Sequence, residues 1–269
     1  MIFKKTESAI KQSRKKRLPL ILSFSITVGL VWTLLLIGFF SWSVKNVYIH
    51  TQDLSLNQAR AFFQEIVTTR LWNAGHGGVY VPITKETQPN PYLDADDRII
   101  ETKDGLALTK INAAYMTRQI AEISLKKNLF WFHITSATPI RPENIPDTWE
   151  SEALTFFSKG GKEFNQFVDS DGEKLYRYMA PLWVESECLK CHAEQGFEQG
   201  DLRGGISVNI KAASIIKSQN SQINDLIIIY GVIWILGLIG LFFSYKRLTK
   251  EEHEREKVIG DLKTALEEV

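Results

Sequence analysis

Two long runs without a single charge, residues 18–44 and 226–245, constrain this chain more than any other feature. A membrane-spanning helix needs about 20 consecutive, mostly apolar residues, and both runs are long enough. Cations gather at their outer edges. Lys4, Lys5, Lys11, Arg14, Lys15, Lys16 and Arg17 precede the first run; Lys246, Arg247 and Lys250 follow the second. Basic flanks stay in the cytoplasm, so both ends are expected there and the segment between them outside. A cleaved signal peptide fits the first run poorly: its apolar core would be about 7–15 residues, with a small-residue cleavage site behind it. The run is longer, and "FFSWSVKNVY" has no Ala-x-Ala. The expected plan is a basic cytoplasmic N-terminus (1–17), a first span (18–44), an extracytoplasmic domain (45–225), a second span (226–245) and a cytoplasmic helix (246–269). The middle segment is thereby expected outside the cytoplasmic membrane. The net charge of +1 gives no case for nucleic acid as a partner.

The segment between the runs is long enough for one domain with its own core. Leu56, Ala59, Phe63, Ile66 and Arg70 recur at helical spacing, so a helix is expected to continue from the first span to about Trp72, stopped by Gly75, Gly77 and Gly78. The Pro- and Asp-rich stretch 79–98 reads as an irregular loop. A second helix, with Thr109 as its cap, follows through Ile111, Tyr115, Ile120 and Ile123. Then come a strand at "LFWFHITSA", a short helix at "WESEALTFF", a hairpin around "DSDG" and a last strand at "GGISVNI". The fold class expected is α+β, an antiparallel sheet with flanking helices, and its setting between two spans suggests a PAS-like sensory domain. Beyond the second run, Val258, Leu262, Ala265 and Val269 alternate four- and three-residue spacing, a heptad pattern that fits a parallel homodimeric coiled coil or, more simply, a solvated amphipathic tail.

The chain has two cysteines, and both stand in "SECLKCHAEQG". Cys188 and Cys191, two residues apart and followed by His192, have the spacing for covalent haem: two thiols for the vinyl groups and an imidazole for iron. A zinc site would need four ligands, and no other cysteine is available. A thioredoxin-like pair would open a helix in a βαβ setting, which the order of elements here does not provide. A disulfide across so short a loop would add little.

From "RLWNAGHGGVYVP" through "NAAYMTRQIAEI", "HITSATPIRPENIPDTWE" and "CLKCHAEQG" to "GDLRGGISVNI", the sequence resembles a bacterial family of c-type haem domains with a PAS-like fold. The resemblance implies thioethers at Cys188 and Cys191 and His192 as the proximal ligand. Members of that family are often periplasmic sensors joined through a membrane span to kinase, cyclase or chemoreceptor outputs; others are stand-alone haem proteins. Some carry a distal cysteine ligand on the helix before the first sheet strand. The matching "INAAYMTRQI" has none, so Met116 becomes the leading distal candidate, although it equally suits filling a core. His76, among the glycines of "AGHGG", is the rival, and His133 in the strand-like run is a weaker third. Arg141, Arg118 and Arg203 are candidate contacts to the haem propionates, each with the alternative of an ordinary ion pair.

Three functions follow. The first is a haem sensor that passes redox state, or binding of NO, CO or O2, across the membrane. Its output would be a separate kinase or cyclase, or a domain lost from this version, because the chain stops inside the heptad pattern. The second is a membrane-anchored electron-transfer cytochrome; the third is a haem-free ligand-binding domain with a disulfide. No Walker lysine, nucleophile elbow or HExxH occurs, so no enzymatic activity is expected.

Overall fold

A computed structural model describes residues 2–127, 130–170, 172–186, 189 and 196–267, the side chains of 2–18, 263 and 267 excepted. Contacts divide the chain into two compact units: His50–Ser218, and Met1–Ile49 together with Gln219–Val269.

The unit His50–Ser218 is α+β and wholly antiparallel in its sheets. Its elements, with α1 and the final helix extending into the other unit, are α1 (Ile2–Gly75), β1 (Val79–Pro82), β2 (Ile99–Glu101), β3 (Ala107–Ile111), α2 (Ala113–Lys126), β4 (Trp131–Thr135), α3 (Thr148–Ser158), β5 (Phe164–Ser170), β6 (Glu173–Trp183), β7 (Leu202–Lys211) and α4 (Ala212–Glu267). The strands form a small sheet in the order β1-β3-β2 and a larger one in the order β4-β7-β6-β5.

The larger sheet is covered on both faces, and the period-2 alternation of β6 shows how. Tyr176, Tyr178 and Ala180 join Phe132, Ile206, Val208 and Ile210 against Ala59 and Ile66 of α1. Phe62 of α1 stacks on Phe130 with ring centroids 3.9 Å apart, and Phe63 meets Tyr178 edge-on. Met179, one residue out of phase, faces the other way, into Trp149, Ala153, Leu154 and Phe157 of α3. Helix α3 starts from a complete capping box, in which the Asp147 side chain takes the Glu150 N–H and the Glu150 side chain takes the Asp147 N–H. The β5–β6 hairpin pairs Ser170 with Glu173 and turns through Gly172 at φ 80°.

Two sequence expectations change here. The stretch 79–98 is not all loop: Val79–Pro82 pairs with β3 in register Val79↔Ile111, and Asp96–Arg98 is a 3-10 turn. Four residues around Pro82 were too short a run to stand out from a Pro- and Asp-rich background. Thr109 does not cap α2. It lies buried inside β3, and the cap is Asn112, whose side chain accepts the Tyr115 N–H at 3.0 Å. Asn112 was equally legible as a cap; the strand in front of it was not.

In the other unit, the residues of α1 and α4 are long and apolar enough to cross a membrane, by length and composition. The two helices meet through polar and small residues. The Ser43 and Tyr230 hydroxyls are 2.9 Å apart, and Trp234 Nε1 donates to Thr33 Oγ1 at 3.1 Å. A Cβ on Gly237 would come within 2.3 Å of Trp32 Nε1, so the glycine permits the close approach. Val258 and Leu262 of the heptad pattern are exposed on α4 in the single chain; Val269 lies outside the described residues.

Candidate functional site

Cys188, Cys191 and His192 lie outside the described residues, so the site is built from its flanks. The motif stands on the excursion between β6 and β7. Its neck is closed at Val184, which is buried: the Val184 N–H donates to Asp201 O and the Gly200 N–H donates to Val184 O, both at 2.9 Å. Both strands therefore deliver the excursion to one end of the larger sheet, the end where β4 also finishes, since Thr135 pairs with Gly205 and Leu182 with Gly204. The glycine pair of "DLRGG" is required by packing at this point. A Cβ on Gly204 would sit 2.1 Å from Thr135 O, and one on Gly205 would sit 2.4 Å from Met179 Cε.

The three arginines differ sharply. Arg118 lies over the Tyr115 ring at 4.3 Å and approaches Glu122 one turn on, at 3.7 Å. Arg141 pairs through Nε with Glu143 Oε2 at 3.1 Å. Both already have a carboxylate. Arg203, at the start of β7, has none among the described residues. Its Nη1 donates to Ser136 Oγ at 2.6 Å and to Thr138 O at 3.3 Å. Phe197 packs against its guanidinium at 4.8 Å, and its Nε is enclosed without a hydrogen-bond partner. Burial pushes its pKa below the usual arginine value, because the cation has lost water without gaining a counter-charge. Ser136 Oγ donates in turn to Arg203 O at 2.7 Å, so side chain and backbone are tied to the same serine. An orphaned cation beside the neck of the motif is what an anionic edge, such as that of haem, would fit.

The candidate distal ligands separate equally clearly. His133 donates or accepts nothing to spare. Its Nδ1 is 3.0 and 3.1 Å from the two carboxylate oxygens of Glu150, and its Nε2 is 2.9 Å from Glu143 O. Carboxylate and carbonyl only accept, so both nitrogens carry protons in this arrangement and no lone pair is left for iron. Glu150, hydrogen-bonded above all, raises the His133 pKa. His76 is the reverse case. It is exposed at the end of α1, its ring rests against Trp72, and its Nδ1 is 2.7 Å from Trp72 O. A carbonyl partner fixes the proton on Nδ1 and leaves the Nε2 lone pair outward, the form that binds a metal. Met116 is half-buried in the first turn of α2. The two are brought to neighbouring elements: Asn73 Nδ2 donates to Ile111 O at 3.1 Å, and Arg70 Nη1 donates to Thr117 Oγ1 at 3.0 Å and Ala113 O at 3.3 Å. These bonds pin the last turns of α1 to the start of α2.

Sequence reasoning missed Glu150. It is buried, yet it receives the Asp147 N–H, the Ser207 hydroxyl and His133 Nδ1, and Arg177 Nη2 stands 3.4 Å away. One carboxylate thus joins α3, β4, β6 and β7. The capping-box spacing of Asp147 and Glu150 was the one available clue, but a capping glutamate is usually exposed.

Comparison with known proteins assigns the class. A family model, described as Tll0287-like, matches residues 49–211, which take in the whole motif and both sheets. The chain belongs to the Tll0287-like family. Among solved structures, the crystal structure of the cyanobacterial heme-protein Tll0287 is similar: 18% identity over 58% of this chain and 94% of that one, at a TM-score of 0.40. No curated protein matches.

Proposed function

We propose that this chain is a membrane-anchored c-type haem sensor of the Tll0287-like family. The observation that carries the reading is the family match across residues 49–211, which contain the Cys188-x-x-Cys191-His192 spacing for covalent haem. Cys188 and Cys191 would hold the porphyrin and His192 would bind the iron from one side. Arg203 and its serine anchor suit the anionic edge of the group. When bound, haem supplies a one-electron couple and, if the sixth position opens, a site for a diatomic gas. Met116 or His76 would decide which; the free Nε2 of His76 favours it chemically, and sulfur from Met116 would raise the potential.

Sensing is favoured over simple electron carriage because the chain has two apolar helices and a heptad pattern, where one anchor would serve a carrier. Strand β7 begins beside the neck of the motif and ends at Lys211, and α4 starts at Ala212. A change at the haem is thereby one strand away from the helix that leads into the second apolar run. In this reading the domain is PAS-like and periplasmic, the segments beyond both apolar runs are cytoplasmic, α4 pairs in a parallel homodimer, and a cytoplasmic kinase or cyclase output receives the signal. Such a device needs two states that interact differently with the stimulus.

The test is spectroscopic, on the full chain in detergent after co-expression with haem-attachment machinery. The sensor reading expects the absorption spectrum of the reduced protein to change on addition of CO or NO, or the amide exchange of residues 202–225 to differ between oxidised and reduced forms. A haem inert to both gases, with identical exchange in both oxidation states and rapid electron exchange with a quinol or cytochrome, would make the protein an electron carrier instead.

A further inference from the structure

We propose that Arg203 is the residue that holds a haem propionate, and that it does so from a guanidinium set in place before the haem arrives. The proposal rests on the haem reading above and narrows three candidate arginines to one. Arg118 and Arg141 each spend their charge on a carboxylate of their own, Glu122 and Glu143. Arg203 has Ser136 Oγ and Thr138 O on Nη1, an aromatic ring against its face, and no carboxylate among the described residues. Placing a cation out of water without a counter-charge costs free energy. A fold keeps such a cation where an anion comes to meet it, and a planar fork matches a carboxylate better than any other side chain does.

The location agrees. Arg203 follows the neck formed by Val184, Gly200 and Asp201, and Phe197, on the returning arm of the excursion, lies against it. Haem joined to Cys188 and Cys191 would sit on that same excursion. The anchoring is reciprocal: Ser136 accepts from the Arg203 side chain and donates to its backbone carbonyl, while the Ser136 N–H is held by Asn144 O at 3.2 Å. The end of β4, the loop behind it and the start of β7 thus fix one guanidinium, so the haem edge would find its partner already oriented.

A fixed positive charge beside a haem favours the reduced iron. Arg203→Gln, of similar reach but neutral, is expected to lower the reduction potential, shifting the oxidised-to-reduced ratio at a set potential about tenfold, equivalent to about 59 mV for a one-electron couple. Arg203→Lys is expected to keep most of the wild-type potential. Ser136→Ala leaves the charge but loosens it, and is expected to shift the potential in the same direction by less. The measurement is a spectroelectrochemical titration of the full chain with haem attached. Because thioethers hold the haem whatever happens to a propionate, the variants remain measurable, and the haem spectrum confirms attachment in each.

A wild-type and Arg203→Gln potential that coincide, with the variant merely less stable to heat, would make Arg203 a cation that only ties β4 to β7 and overturn the proposal while leaving the haem reading intact. Absence of haem from the wild type would overturn both. A Lys variant shifted as far as the Gln variant would also count against it, since charge would then not be what the site supplies.

Discussion

Glu150 is the residue whose removal should be felt most widely. Replacing it with alanine takes one acceptor away from Ser207, from His133 and from the Asp147 N–H, and leaves Arg177 with Asp147 alone, at 2.8 Å. The side chain is 2% exposed, so water cannot take over these roles. Breaking a buried, hydrogen-bonded charge cluster by deleting one member costs about 3–5 kcal/mol, and losing half a capping box adds about 1 kcal/mol. For a unit of this size each kcal/mol lowers the melting temperature by roughly 2–4 °C, so a fall of roughly 8–24 °C is expected. The assay is thermal unfolding followed by tryptophan fluorescence, to which Trp149, packed on the same helix, reports directly. Glu150→Gln, which keeps one acceptor oxygen, should lose about half as much. A loss under about 1 kcal/mol for the alanine variant would mean that the cluster is not held in place by this carboxylate.

The same cluster gives a pH dependence. The His133 pKa is raised above its ordinary 6.5, first by its hydrogen bond to Glu150, so protonation favours the folded form. Its stabilisation should be complete below about pH 6.5 and fade as pH rises through the raised value, and His133→Gln should flatten that slope in melting curves recorded from pH 5 to 9. Gly204→Ala should be severely destabilising, because a Cβ would sit 2.1 Å from the Thr135 backbone oxygen, whereas Gly205→Ala should be milder, because its hardest clash is with the end of the Met179 side chain and the Ala180 backbone oxygen stands off at 3.0 Å. Of the three distal candidates, only Met116→Ala or His76→Ala should alter the low-spin or high-spin character of the haem spectrum; a change with His133→Ala alone would contradict the hydrogen-bond assignment of both its nitrogens.

Much of the fold was legible because it is written in local chemistry. Gly75 stopping α1, the aromatic and β-branched run of β4, Gly172 in the turn of the hairpin and the alternating Ile206, Val208 and Ile210 of β7 each carry a short-range cause. The sheet of β1, β2 and β3 was hidden because its strands are three to five residues long and owe their state to pairing with one another, which no window along the chain contains. The candidate site divides the same way. The Cys-x-x-Cys-His spacing is contiguous and could be read directly. The difference between Arg203 and the other two arginines depends on partners 65 and 67 residues away, and the engagement of His133 depends on a glutamate in a different element. Residue type suggests a role there, but only three-dimensional partners decide it.

The sensor reading depends on haem bound through thioethers at Cys188 and Cys191. That attachment is tested most directly by staining for haem peroxidase activity after denaturing gel electrophoresis of the full chain, made in cells that attach haem to c-type cytochromes. The expected result is a stained band at the mass of this chain, abolished in the Cys188→Ser, Cys191→Ser double variant. An unstained wild-type band beside a stained control cytochrome from the same cells would contradict it.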